Sequence, residues 1–210
     1  MAEPSSRAAT SPEPTRRLFF ALWPDETMRE AMARATQEAA RASGGRPVPA
    51  GNLHVTLAFL GSVPEGRLPE LAAIGRRVAP LSGEGESSGC DEPGVELVFD
   101  HLEYWRGAHV LCALPAGPPA CAATLARRLQ ERLTESGFAP DPATAQSAGF
   151  NMAKPFRPHV TLARKALRPP RPMEMEAVTW RFGEFVLVQS KTHPEGAEYR
   201  VLESFIVGNE

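Results

Sequence analysis

The chain carries the tetrapeptide His-Val-Thr-Leu twice, at His54 to Leu57 and at His159 to Leu162, 105 residues apart (159 − 54) in a chain of 210. With eleven threonines in the sequence, a given histidine is followed two positions later by threonine about once in twenty; two of the five histidines are, and both share the same Val and Leu. Repetition at half the chain length is the mark of an internal duplication. It also restricts the fold. Each copy suits a strand, and alternate side chains of a strand share a face. His54 and Thr56 therefore point one way while Leu53, Val55, Leu57 and Phe59 point the other. His159 and Thr161 likewise share a face, opposite Val160 and Leu162. Each copy offers an imidazole and a hydroxyl to a cleft and an aliphatic row to a core.

If a pseudo-two-fold axis relates the halves, the two imidazoles flank one substrate group from opposite sides, an arrangement suited to in-line displacement at phosphorus. One histidine must be neutral to take a proton from the attacking water or hydroxyl, and the other charged to give one to the departing oxygen. An unperturbed pKa near 6.5 allows both states near neutral pH. The hydroxyls of Thr56 and Thr161 can donate to the non-bridging phosphate oxygens. No carboxylate cluster accompanies either copy, which disfavours a two-metal phosphodiesterase. Neither a metal nor another cofactor is expected.

The remaining sequence supplies a scaffold. With 42% hydrophobic and 23% charged residues, the chain can bury a core without staples, as a single domain or two small lobes. A formal charge of −2 and a pI near 6.2 exclude nucleic-acid binding through a broad basic surface, so any such contact is local. Cys90, Cys112 and Cys121 show neither a CxxC spacing nor histidines at ligand-like distance, and are read as reduced thiols. The N-terminal residues lack the apolar core of a secretory signal, and no run reaches about 18 apolar residues. The expectation is a soluble, cytoplasmic protein without a membrane partner.

Residues 1–15, with three prolines, read as a disordered tail, and structure is expected from Arg16, with 16–210 as one domain. Leu18 to Trp23 reads as a strand, and Pro24-Asp25-Glu26 opens a helix whose apolar stripe is Met28, Ala31, Met32, Ala35 and Ala39, stopped by Gly44-Gly45 and Pro47. Leu53 to Gly61 is a strand. Leu68, Leu71, Ala72 and Val78 mark a second helix, weakened by Gly75. Ser82 to Gly94 reads as a flexible connection between lobes. Val95 to Tyr104 and His109 to Leu114 form a hairpin about Arg106-Gly107; Ala122, Leu125, Leu129 and Leu133 mark a third helix; Pro140 to Lys154 is irregular. Strands return at His159 to Lys165, Val178 to Val188 and Tyr199 to Val207. Helices mixed with turn-separated strands indicate an α+β architecture built on antiparallel sheets.

Both copies have the His-x-Thr-x form of the 2H phosphoesterases. The chain resembles the bacterial RNA 2′,3′-cyclic phosphodiesterases, or 2′-5′ RNA ligase-like proteins, in Arg17 to Leu22, Asn52 to Gly61, Phe156 to Arg164, and more loosely in Leu187 to Phe205 with Gly196 and Tyr199. The resemblance implies two pseudo-symmetric lobes whose antiparallel sheets line a central cleft, with helices on the outer faces and a chain that crosses between lobes. It implies hydrolysis of RNA 2′,3′-cyclic phosphate ends to 2′-phosphomonoesters, His54 serving as proton donor and His159 as proton acceptor, with reverse 2′-5′ ligation as a secondary activity. The motifs themselves are too alike to rank the two histidines. The tail and the 82–94 loop depart from the family pattern.

Phe156 and Arg157 are candidates for stacking on a base and pairing with phosphate. Tyr104, Trp105 and Arg106 could grip nucleotides, though aromatic residues at such turns more often cover a sheet edge. His101, His109 and His193 read as structural or surface histidines, and Arg127, Arg128 and Arg132 as a solvated helix face. The expected partner is an RNA end or nucleotide bearing the cyclic phosphate, met by a monomer. The alternatives are a 2H enzyme acting on 2′-5′ oligonucleotides or small cyclic nucleotides, and a non-catalytic RNA-end binding module; two intact titrating motifs argue against the latter.

Overall fold

Alternation places the first strand. In β1 (Thr15–Leu22), Leu18, Phe20 and Leu22 face one side and Phe19 with Ala21 the other, and all five are buried. A strand covered on both faces belongs in the middle of a sheet. It begins one residue ahead of Arg16, and the Pro14 carbonyl accepts the Glu65 N–H at 3.0 Å. The computed structural model describes residues 13–80, 94–117, 120–138, 156–193 and 196–208. The expected tail up to residue 12, the 82–94 loop up to residue 93 and the irregular 140–154 stretch lie outside the described residues.

The expected helix start is realised in α1 (Glu26–Ala42), where Asp25 Oδ1 accepts the Met28 N–H at 2.8 Å. Such a cap stabilises a helix by about 1 kcal/mol. Met32, Thr36 and Ala40 form its buried line, Met28, Ala31, Ala35 and Ala39 flank it, and the Trp180 indole N–H reaches back to the Met28 carbonyl at 2.9 Å. Next come β2 (Arg46–Pro47), β3 (Val55–Pro64), α2 (Leu68–Val78), β4 (Val95–Trp105), β5 (Val110–Pro115), α3 (Ala120–Glu135), β6 (Val160–Arg164), β7 (Glu174–Phe182), β8 (Glu184–His193) and β9 (Gly196–Ile206). Gly75 in α2 has a packing reason: a β-carbon there would meet the Phe205 ring at 2.5 Å.

The strands form an antiparallel sheet in the order β7-β4-β5-β6-β3-β1-β8-β9, with β2 added against β6. The order is a palindrome about the β6/β3 seam. On one side lies β1–α1–β3, on the other β5–α3–β6, each extended outward by two strands. The helix-covered face holds the main core, including Phe20, Leu57, Leu111, Leu125 and Trp180. The opposite face holds two smaller clusters, one around Phe19 and Ala21 and one around Val110, Cys112 and Leu114.

One expected strand is two. Val178 to Val188 breaks at Gly183, β7 pairing with β4 and β8 with β1. The chain therefore crosses from one half to the other at that glycine. Cys112 is free and buried, whereas Cys121 is disulfide-bonded, which corrects the reading of three reduced thiols. No helix among the described residues is long and apolar enough to cross a membrane.

Candidate active site

The seam brings the two motifs together. β3 and β6 pair antiparallel through Val55↔Val160. One step outward in that register sets His54 beside Thr161 and Thr56 beside His159. Each imidazole thus neighbours the other copy's threonine, and the four side chains share one face of the sheet.

A bulge shapes each copy. Phe20 pairs with Ala58 and Ala21 with Thr56, which leaves Leu57 as an extra residue on β3. Leu111 pairs with Ala163 and Cys112 with Thr161, which leaves Leu162 extra on β6. An extra residue reverses the alternation beyond it. The residue five after each histidine is thereby turned onto the cleft face: Phe59 in the first copy and Arg164 in the second. Phe59 was expected in the core row with Leu53, Val55 and Leu57; it packs instead with Phe19, Val186 and Val188.

Both imidazoles are held alike. His54 Nδ1 lies 2.7 Å from the Asn52 carbonyl and His159 Nδ1 2.9 Å from the Arg157 carbonyl, each two residues upstream. A carbonyl only accepts, so Nδ1 carries the hydrogen and Nε2 is left for chemistry. The surroundings differ. His54 sits among Phe19, Trp23 and Tyr199, with ring centroids 5.0, 5.4 and 5.2 Å away. His159 has the Trp105 ring at 4.6 Å.

Burial lowers the pKa of His54 to about 4; the Asn52 carbonyl opposes this, while the positive charge of Arg164, His159 and Arg29 adds to it. His159 is also lowered, mainly by burial and further by Arg157 and Arg164, against the Arg157 carbonyl and Glu103. Unperturbed imidazoles were expected. Both are instead neutral at neutral pH in the free protein, and an anion placed between them would restore a proton to one. Burial pushes the Cys112 thiol up to about 12, so it stays protonated beneath Thr161, with which it shares a hydrogen bond.

A cleft of about 360 Å³ opens beside the seam, lined by His54 and Thr161 together with Arg46, Asn52, Arg164 and Tyr199. Asn52 Nδ2 donates to the Ala197 carbonyl at 2.8 Å, tying the His54 segment to the β8–β9 hairpin. His193, read as a structural or surface histidine, also lines this cleft and faces Glu198 at 3.3 Å. Phe156 packs against the main core. Arg157 is exposed, pairs with Glu103 at 2.6 Å and lies 5.7 Å above the Trp105 ring. Trp105 thus serves His159, while the Tyr104 hydroxyl donates to the Ala166 carbonyl at 3.0 Å.

Sequence reasoning assigned no role to Arg164, Trp23 or Arg46. Arg164 was within reach, since it stands at the same distance from its histidine as Phe59 does from His54. What hid it was the bulge.

A duplicated strand pair that carries a histidine and a threonine of each copy on one sheet face, with His54 and Thr161 lining the cleft, is the pattern of the two-histidine phosphoesterase class. Residues 24–194 match the 2′-5′ RNA ligase superfamily. An RNA 2′,3′-cyclic phosphodiesterase of Thermus thermophilus is 32% identical over 201 residues, covering 92% of this chain and 91% of the relative. Another, of Escherichia coli, is 33% identical over 152 residues, covering 71% and 72%. The crystal structure of E. coli LigT complexed with 3′-AMP superposes with a TM-score of 0.69 at 26% identity, covering 93% of this chain and all of that one. The chain belongs to the 2′-5′ RNA ligase superfamily of 2H phosphoesterases, and it is an enzyme of the phosphodiesterase type.

Proposed function

We propose that the chain hydrolyses RNA 2′,3′-cyclic phosphate ends to 2′-phosphomonoesters by acid/base catalysis between His54 and His159. The observation that carries this is the seam register, by which each imidazole, with Nδ1 bonded to a carbonyl and Nε2 left for chemistry, neighbours the other copy's threonine. Water attacks phosphorus as His159 takes its proton; the bond from phosphorus to O3′ breaks as His54 supplies a proton to that oxygen, and the phosphate stays on O2′. Thr56 and Thr161 donate to the non-bridging oxygens, and Arg164 offsets the charge developing there.

The order of the histidines has support besides resemblance. O3′ remains part of the ribose, so the acid stands on the nucleoside side. The cleft that could take a nucleoside is lined by His54. A 5′-hydroxyl in place of water would leave a 2′-5′ linkage, which is the ligation reading. In this reading residues 16–210 work as one domain, with RNA as partner and no second subunit required by the site.

The test is an oligonucleotide ending in a 2′,3′-cyclic phosphate, incubated with the protein in EDTA, with the product identified by phosphorus NMR. The 2′-phosphomonoester is expected. No turnover, turnover abolished by the chelator, or a 3′-phosphomonoester would each contradict the proposal.

A further inference from the structure

Each catalytic histidine lies beside a tryptophan that carries an arginine. The Arg29 guanidinium is 4.9 Å above the Trp23 ring, which is 5.4 Å from His54; the Arg157 guanidinium is 5.7 Å above the Trp105 ring, which is 4.6 Å from His159. A cation on an aromatic face is favourable in either place. The two arrangements differ in what accompanies the arginine. Arg157 Nη2 donates to Glu103 Oε2 at 2.6 Å. Arg29 Nε and Nη2 are buried with no hydrogen-bond partner among the described residues.

The sheet register explains why only one half has that carboxylate. Outward from the seam on one side, Thr161 pairs with Cys112 and Cys112 with Glu103. On the other, Thr56 pairs with Ala21 and Ala21 with Val186. Directly paired residues share a face of the sheet. Glu103 therefore stands in the cleft-face row of Thr161, and the palindromic strand order gives it buried Val186 as its counterpart in the row of Thr56. Burial keeps the intervening Cys112 thiol protonated, so Glu103 is the charged member of its row.

The charged groups around His159 are Arg157 and Arg164 along its own segment, Glu103 from β4 and His54 across the seam on β3. Burial lowers the His159 pKa and the Arg157 carbonyl opposes this; the Arg157 and Arg164 charges add to the lowering, and Glu103 works against it. At His54 the charges of Arg164, His159 and Arg29 all lower the pKa. A base whose pKa lies below the working pH takes up a proton more readily as that pKa rises toward it.

We propose that Glu103 is a positioning residue for the base: its carboxylate stabilises the imidazolium that forms when His159 takes the proton from water, and Val186 leaves His54 without an equivalent. The proposal rests on the hydrolytic reading above, with His159 as acceptor. Glu103 touches neither substrate nor the reacting atoms; it acts through His159, and Arg157 holds it in place. The duplicated scaffold thereby acquires a direction from one carboxylate on one side of the seam.

The experiment follows the His159 imidazole by NMR titration, and kcat on a 2′,3′-cyclic-phosphate-ended oligonucleotide, in the native chain, Glu103→Gln and Arg157→Met. Both variants break the same ion pair, yet they should move His159 in opposite directions. Glu103→Gln should lower its pKa by about half a unit, the modest size expected of a partly exposed charge, and Arg157→Met should raise it by about as much. The acid limb of kcat/KM should shift with the same signs. At neutral pH Glu103→Gln should lose about twofold in kcat, and Arg157→Met should not fall below the native value. Shifts of the same sign in both variants, as a merely structural ion pair would give, or an unmoved His159 in Glu103→Gln, overturn the proposal. Failure of the native chain to turn over the oligonucleotide overturns instead the hydrolytic reading beneath it.

Discussion

The two halves of the seam begin from the same four residues and diverge in what surrounds them. Around His54 the sheet gathers Phe19, Trp23 and Tyr199, and the position five residues on is Phe59, capped by the Arg17 guanidinium 4.8 Å above its ring. Around His159 there is Trp105, with Arg157 on that ring, and the position five residues on is Arg164. Both half-sites lie near cations, the first near Arg29 and Arg164 and the second near Arg157 and Arg164, but only the first is enclosed by three aromatic rings. A symmetric scaffold cannot by itself tell acid from base; the bulges at Leu57 and Leu162 put different residues, Phe59 and Arg164, on the same sheet face, and of these Arg164 lines the cleft.

The largest effect expected from breaking the comparison is loss of either histidine. His54→Ala and His159→Ala should each lower kcat by about 10² to 10⁴ with the fold intact, as judged by circular dichroism. Native activity in either variant would remove that histidine from the mechanism. Next comes the residue pair that breaks the symmetry. Arg164→Ala should cost about 10² in kcat because it removes a cation from the developing charge, whereas Phe59→Leu should cost less than tenfold. Equal losses at both positions would make the asymmetry irrelevant to catalysis.

The pH dependence sharpens the same contrast. In the free protein both imidazole pKa values are lowered, His54 to about 4. The bound phosphate raises the pKa of the donor, so the alkaline limb of kcat should lie at higher pH than that of kcat/KM, each limb belonging to the pair. Coincident limbs would show that the substrate does not recharge the donor. Stability follows the same sign. An unfolded histidine titrates near 6.5, above the folded His54, so the unfolded chain binds more protons below that pH, and stability is lost as pH falls from about 6.5 toward 4. The melting temperature should drop across that window, less so with inorganic phosphate present; a flat profile would show that His54 is not desolvated. The smallest effect is remote from the seam: Asp25→Ala should cost about 1 kcal/mol of stability in a denaturant titration and leave kcat unchanged.

Much of this was legible in the residues. Strand alternation in His-Val-Thr-Leu and the half-chain spacing led to the paired imidazoles, and the Asp25 cap and the Met32 stripe led to α1. Alternation failed where it was locally broken. Phe59 was assigned to the core because a bulge leaves no trace in a hydrophobic pattern. Gly183 was read through because the strands on either side of it are both apolar. Trp23, just past the end of β1, and Tyr199 on β9 meet at His54 from far apart in sequence, which only the topology reveals. Lowered imidazole pKa values arise from that same burial and have no signature in the motif.

The assignment of opposite roles to the half-sites is tested most directly by a 2′,3′-cyclic substrate with sulfur replacing the bridging 3′ oxygen, a leaving group that departs without needing a proton. On this substrate His54→Ala should recover most of its lost rate while His159→Ala remains impaired. Recovery of His159→Ala with His54→Ala still impaired would contradict the assignment.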